Sequence, residues 1–197
     1  MKKRRSIMPK DYLSDLVEDQ EINHILECAN MAPTHGKTEP WRFVVYKRAN
    51  LSNLFNFVIS WYEKNWQQIY KNEEERDKGI QSIQNKFDEL AKASHFIGIG
   101  MKRQTKKDKL MPEWEEIAAV STSVQNIYLQ CAAKGLGGYW SSMNFAKECR
   151  DSEEFLNFMG LEDKGDRFLG NFVIAKTNKY DQYQRIPGKY QDKVQFR

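Results

Sequence analysis

The residues best placed to do chemistry lie in one short loop, where His35, Gly36 and Lys37 stand between Pro33 and Pro40. Proline disfavours helix at the residue before it, so the two prolines bracket a stiff, defined connector. An imidazole and an ammonium group held this way can bind an anion, donate hydrogen bonds or pass a proton. Loops gripped between regular elements are where binding groups tend to sit. The same residues would also serve as a plain helix-to-strand turn. Other chemistries find no support. Cys28, Cys131 and Cys149 form no C-x-x-C pair, and His24, His35 and His95 lack ligand spacing with them, so no structural zinc site or disulfide framework is expected. No G-x-G-x-x-G is present, which removes a Rossmann nucleotide domain. No nucleophile and base form an evident dyad.

The elements around this loop follow from periodicity. Residues 19–31 read as a helix, with Ile22, Ile25, Leu26 and Ala29 at helical spacing. Residues 41–46 read as a strand. Residues 51–70 and 73–93 read as two amphipathic helices forming a hairpin at the edge of the molecule. The run 95–101 is a strand, since two glycines within seven residues argue against helix. Residues 104–112 form a lysine-rich, solvated turn. Residues 114–134 make the strongest helix, so poor in exposed charge that burial on most sides is expected. Gly135 supplies its left-handed cap, and residues 139–142 begin an extended segment. A short helix over 151–159 and a strand over 167–176 follow. The aromatic tail, residues 177–197, is expected to lie across a surface, such as that of a second subunit.

Composition bounds the class. With 197 residues, the chain suits a single domain (1–197) with a sizeable core. Its 40% hydrophobic and 13% aromatic content argues against disorder. The net charge of +4, from 31 basic and 27 acidic residues, is too mild to imply nucleic-acid binding by itself. The basic start and the Lys106-Lys107-Asp108-Lys109 run raise a single-strand nucleic-acid binder as a rival, but most aromatics sit at core periodicity. No window reaches the roughly 18 continuous apolar residues of a membrane span. The basic residues 1–5 precede no apolar h-region, which argues against a secretory signal. The cysteine usage fits a reducing cytoplasm.

Three segments combine in order: Arg4-Arg5-Ser6-Ile7, then Ala32-Pro33-Thr34-His35 through Pro40-Trp41-Arg42-Phe43, then Gly135-Leu136-Gly137-Gly138-Tyr139-Trp140-Ser141-Ser142. Together they resemble the FMN-dependent nitroreductase family over nearly the whole chain, closest to the short, single-domain members with a histidine in the second segment. The resemblance implies an α+β fold with a central mixed sheet flanked by helices, in an interlocked homodimer whose two FMN sites lie between the subunits. It implies a hydride passed from NAD(P)H through FMN to a nitroaromatic, quinone or similar acceptor by a ping-pong cycle. Reductive dehalogenation, azoline oxidation or consumption of the flavin itself are the alternatives within the fold. The hairpin over 51–93 would be the lid that sets the substrate.

The resemblance also assigns residues, and their chemistry suits it. A phosphate dianion is held well by arginine forks and hydroxyl donors, so Arg4 and Ser6 are the expected phosphate ligands, with Arg5 adding charge or backbone. Met8 stands where many members carry a second basic residue. Arg185, in Arg185-Ile186-Pro187, resembles the C-terminal basic residue that completes the site in many relatives. His35 corresponds to a loop residue approaching the flavin from the partner subunit, and Lys37 is a neighbouring candidate near N1 and O2. Trp140, Ser141 and Ser142 would offer backbone and hydroxyl groups to the isoalloxazine edge, the preceding glycines allowing the backbone close to the ring. Met31 and Glu39 depart from the usual residues at their places. Trp41 is expected in the core. No metal and no catalytic side chain are called for, because the cofactor carries the chemistry.

Overall fold

The computed structural model describes residues 4–106, 109–184 and 186–197. Helix α1 (Asp19–Asn30) begins after an extended Glu18 and ends one residue before the expected position, with Met31 as its cap. Strand β1 (Trp41–Lys47) leads into α2 (Leu51–Asn65) and α3 (Glu73–Glu89). Both helices stop short of the expected ends. Residues 66–68 tighten into a 3-10 turn after α2, and Leu90 caps α3 by donating to Phe87 and Asp88 carbonyls. Apolar residues continue past both ends because they pack on the core, which periodicity alone reads as more helix.

Strand β2 (His95–Met101) is buried along its whole length. The expected solvated turn over 104–112 contains a two-residue antiparallel ladder instead, β3 (Thr105–Lys106) with β4 (Lys109–Leu110); Lys107 and Asp108 lie outside the described residues. Helix α4 (Glu113–Ala133) ends at Lys134, and Gly135 takes φ +67, as a left-handed cap requires. Strand β5 (Leu136–Ser141), the short helices α5 (Lys147–Arg150) and α6 (Glu153–Phe158), and strand β6 (Arg167–Lys176) follow.

The main sheet has the order β1-β2-β6-β5, and every pairing in it is antiparallel. The α+β class holds, but the mixed character expected of the sheet is absent from the described strands. Sequence pattern marks the strands as buried without saying which way each one runs. The two faces of the sheet carry two cores. His95, Ile97, Ile99 and Met101 alternate onto one face, where Ile99 and Ile97 join Ile25 of α1 and Val120, Val124 and Ile127 of α4. Phe96, Val173 and Ala175 point the other way, against Leu54, Phe55 and Val58 of α2 and Ile83 of α3. Gly98 and Gly100 sit on that second face, and a Cβ on them would strike Met159 and Leu161 at 2.2 and 2.7 Å. These glycines are the space that lets the chain after α6 close over the sheet.

Within the chain α4 is buried along one stripe only, Glu116, Ala119, Val120, Ser123, Val124, Ile127 and Cys131. This differs from the expected burial on most sides: Trp114, Ala118, Gln125 and Ala133 are exposed, and the remaining positions are half-buried. Trp114 at its start is 71% exposed, and Met31 at the end of α1 is 79% exposed. The tail divides similarly. Tyr180 and Tyr183 pack against the core, while Ile186, Tyr190 and Phe196 are exposed.

Candidate functional site

Two of the three sequence segments meet at one corner of the fold. The Ile7 backbone N–H donates to the Gly138 carbonyl at 3.1 Å, laying the N-terminal segment beside β5. The two glycines that precede Tyr139 make this approach possible. A Cβ on Gly137 would lie 3.2 Å from Ile7 Cβ, and one on Gly138 would lie 2.4 Å from the Val173 carbonyl oxygen. Their room is therefore taken by protein, which corrects the expectation that it serves a ring.

Tyr128 organises the corner, and it was missed in the sequence. Its hydroxyl accepts from the Trp140 backbone N–H at 2.8 Å and lies 3.2 Å from Ser6 Oγ. The Arg4 guanidinium lies over its ring, 4.9 Å from the centroid, a cation–π contact of about 0.5–2 kcal/mol. Beneath, the ring meets Phe172 edge-on at 4.6 Å. Arg4 is half-buried and has no carboxylate ion pair among the described residues. Ser6 is exposed. A guanidinium held on a rigid ring beside a hydroxyl is an anion-binding arrangement.

Arg5 works differently. Its backbone N–H donates to the Tyr180 hydroxyl at 3.1 Å, and its Nε donates to the Tyr183 carbonyl at 2.6 Å. The tail thus pins the N-terminal segment, with Tyr183 also hydrogen-bonded through its hydroxyl to Asp11. Arg185 lies outside the described residues. Trp140 reaches β6, its indole Nε1 donating to the Leu169 carbonyl at 2.9 Å. Ser141 Oγ accepts from the Met143 backbone N–H at 3.0 Å. It thereby caps a turn in which Met143 and Asn144 take φ +58 and +59. Ser142 is half-exposed at the mouth of that turn.

The second segment lies elsewhere. His35 and Lys37 sit on a turn where Gly36, Lys37 and Glu39 all have positive φ, at 66, 60 and 46. Two such non-glycine residues are costly backbone, of the kind that persists where surroundings over-determine it. Arg42 supplies part of that restraint by donating through Nη1 to the Glu39 and Trp41 carbonyls, at 3.0 and 2.7 Å. Trp41 is in the core as expected, its Nε1 donating to Asn30 Oδ1 at 2.8 Å. His35 Nδ1 is hydrogen-bonded to Glu115 Oε2 on the first turn of α4. A cavity of about 330 Å³ adjoins this pair, bounded by Pro33, Thr34, Trp114 and Thr122. Glu115 and Tyr128 are thirteen residues apart on one helix, so the histidine loop and the arginine corner are about 20 Å apart at 1.5 Å per residue. One chain does not bring them together.

A cavity of about 480 Å³ lies elsewhere again, between Leu16 to Gln20, Lys47 to Ala49, Ser94 and His95. Here Ser94 Oγ accepts from the Val17 N–H at 2.7 Å and lies 3.0 Å from His95 Nδ1, while His95 Nε2 lies 3.3 Å from Asp19 Oδ1. The Ser-His-Asp order resembles a hydrolytic triad, but Ser94 is fully buried and its hydroxyl is bound to backbone. It is a structural clasp. Burial holds the His95 pKa below its ordinary 6.5, with Asp19 opposing. The unfolded chain therefore binds the extra proton first, and this contribution to stability is intact above about pH 6.5 and declines as pH falls towards the lower folded-state value. Urea midpoints between pH 7.5 and 5.5 should fall more steeply for the natural chain than for His95→Gln. Equal slopes would contradict the burial argument.

Residues 1–176 match the family model described as the nitroreductase family. The protein YfhC of Bacillus subtilis (strain 168), whose name proposes an NAD(P)H nitroreductase, is 28% identical over 187 residues, 94% of this chain and 85% of its own length. Among solved structures, a nitroreductase-like family protein from Bacillus cereus superposes with a TM-score of 0.74 at 22% identity, covering 99% of this chain and 92% of that one. The FMN-dependent nitroreductase NfnB from Mycobacterium smegmatis, solved in complex with NADPH, gives 0.68 at 14% identity, covering 100% and 95%. At these identities the structural likenesses establish the fold.

Proposed function

The chain belongs to the nitroreductase family, and from that premise we propose that it is an FMN-dependent oxidoreductase that uses NAD(P)H to reduce a nitroaromatic, quinone or similar acceptor. The observation that carries this reading is the corner built on Tyr128. Arg4 presents a guanidinium without a carboxylate partner among the described residues, next to the exposed hydroxyl of Ser6. That donor set fits a phosphate dianion, so the residues present suit the cofactor. When bound, FMN would accept a hydride from NAD(P)H and return the electrons to the second substrate.

The chain's own residues hold and surround it. Arg4 and Ser6 bind the phosphate, with Arg5 tying the segment to the tail and Arg185 assigned as the second cation. Trp140, Ser141 and Ser142 line the ring's edge from the same subunit. His35 of the partner subunit and Lys37 of the partner subunit supply donors where negative charge gathers on reduction. The separation of about 20 Å along α4, its half-exposed face and the exposed Trp114 and Met31 support a homodimer that completes each site. The lack of a Rossmann fingerprint supports one open face serving nicotinamide and acceptor in turn, in ping-pong order. We treat residues 1–197 as one domain, with 51–93 as the substrate lid. The free thiols of Cys28, Cys131 and Cys149 support a cytoplasmic setting.

Purified protein should be yellow with flavin absorbance, or become so with added FMN, and should sediment as a dimer at micromolar concentration. A colourless protein that takes up no FMN, or a flavin-loaded monomer at sedimentation equilibrium, would contradict the reading.

A further inference from the structure

The contact between His35 and Glu115 has a chemical consequence. A carboxylate only accepts hydrogen bonds, so the Nδ1 that meets Glu115 must carry a proton in either charge state of the ring. The opposite nitrogen, Nε2, is then the one that gains and loses a proton, and it has no partner among the described residues. The His35 side chain is 64% exposed, while the Glu115 side chain is 21% exposed and anchored on α4. Thr38 Oγ1 donates to the His35 carbonyl at 3.2 Å and lies 2.8 Å from Thr34 Oγ1, so the loop is braced on both sides of the ring. Strained backbone at Lys37 and Glu39 completes a rigid mount for one outward-facing nitrogen.

We propose that Glu115 and His35 form a proton-delivery pair, in which Glu115 orients the imidazole through Nδ1 and Nε2 protonates the electron acceptor at the partner subunit's site. This rests on the oxidoreductase reading above and adds a catalytic role for His35 and a positioning role for Glu115. The stoichiometry leaves one proton to be supplied at the site. Quinone reduction to quinol takes two electrons and two protons, and NAD(P)H brings two electrons and one proton. The second proton comes from Nε2: the Nε2–H bond breaks, its electron pair stays on nitrogen, and the proton forms the second O–H bond of the quinol. Solvent then restores the proton to Nε2. Glu115 keeps its bond to Nδ1 throughout, stabilising the charged ring before transfer and fixing its direction after it.

The test compares two acceptors on flavin-loaded Glu115→Ala and His35→Gln proteins. A para-quinone needs the proton, whereas ferricyanide takes electrons alone. In each variant, ferricyanide turnover measures any general loss at the flavin, and the ratio of quinone to ferricyanide turnover should fall by about 100-fold relative to the natural chain, the lower end for general acid catalysis. Nitrogen-15 NMR of the uncharged His35 ring gives a readout independent of turnover. It should show the proton on Nδ1 in the natural chain and a redistribution towards Nε2 in Glu115→Ala. Equal losses with both acceptors, an unchanged quinone rate, or an Nε2-protonated ring in the natural chain would overturn the proposal. If NAD(P)H fails to reduce the flavin of the natural chain, the family-based function falls first and the proton role falls with it, even where the NMR result shows the pair intact.

Discussion

Replacing Arg4 with alanine should weaken FMN binding by about 10- to 150-fold, since a charge-assisted hydrogen bond contributes about 1.5–3 kcal/mol. The size follows from the corner's construction. Arg4 lies 4.9 Å over the Tyr128 ring, so its direction is largely set before any phosphate arrives and little side-chain entropy remains to be lost. Met8 is uncharged, so in the proposed site Arg185 alone shares the phosphate charge with Arg4. Tyr128→Phe keeps the ring under Arg4 but removes the hydroxyl that meets Ser6 and Trp140; it should weaken binding less. Fluorescence titration of the apoprotein with FMN measures both. Equal affinity in Arg4→Ala and the natural chain would remove Arg4 from the phosphate site.

The largest loss of stability is expected from Phe55→Ala. Phe55 is 1% exposed and its ring meets Phe87 at 5.1 Å, Phe145 at 5.7 Å and Phe96 at 6.2 Å. It therefore joins α2, α3, β2 and the segment after β5. Removing a buried phenyl group costs about 3–5 kcal/mol, a transfer loss plus the cavity left behind. Against a typical total of about 5–15 kcal/mol, this should lower the melting temperature by roughly 6–20 °C for a chain of this size. FMN affinity of the folded fraction should change little, because none of these rings touches Arg4, Ser6 or Tyr128. Urea and thermal unfolding, with flavin titration below the transition, separate the two effects. A loss under about 1 kcal/mol would mean that the aromatic cluster repacks.

What was legible in the sequence depended on how local the signal was. The strands His95–Met101 and Arg167–Lys176 were readable end to end, because buried apolar runs need no knowledge of their neighbours. Helix ends were less so: Trp66 and Leu90 extend the apolar stripes, but the backbone has already turned there. Strand direction in the sheet was not readable at all. The arginine corner was half visible. Arg4, Ser6 and Trp140 were found through a resemblance between ordered segments, whereas Tyr128 looked like an edge residue of a helix face. Its role depends on β5 and the N-terminal segment both arriving beside it. Glu115 and Asp19 were invisible for the same reason, since their histidine partners are 80 and 76 residues away in the chain.

The central claim is that this chain carries electrons from a nicotinamide through FMN. Anaerobic stopped-flow mixing of the flavin-loaded protein with NADH or NADPH, with no acceptor present, tests it most directly. The account predicts that the flavin absorbance bleaches in a phase whose rate rises with nicotinamide concentration, and that adding quinone or nitroaromatic afterwards restores the colour. A flavin that neither nicotinamide bleaches, or that bleaches only once the acceptor is also bound, would contradict it.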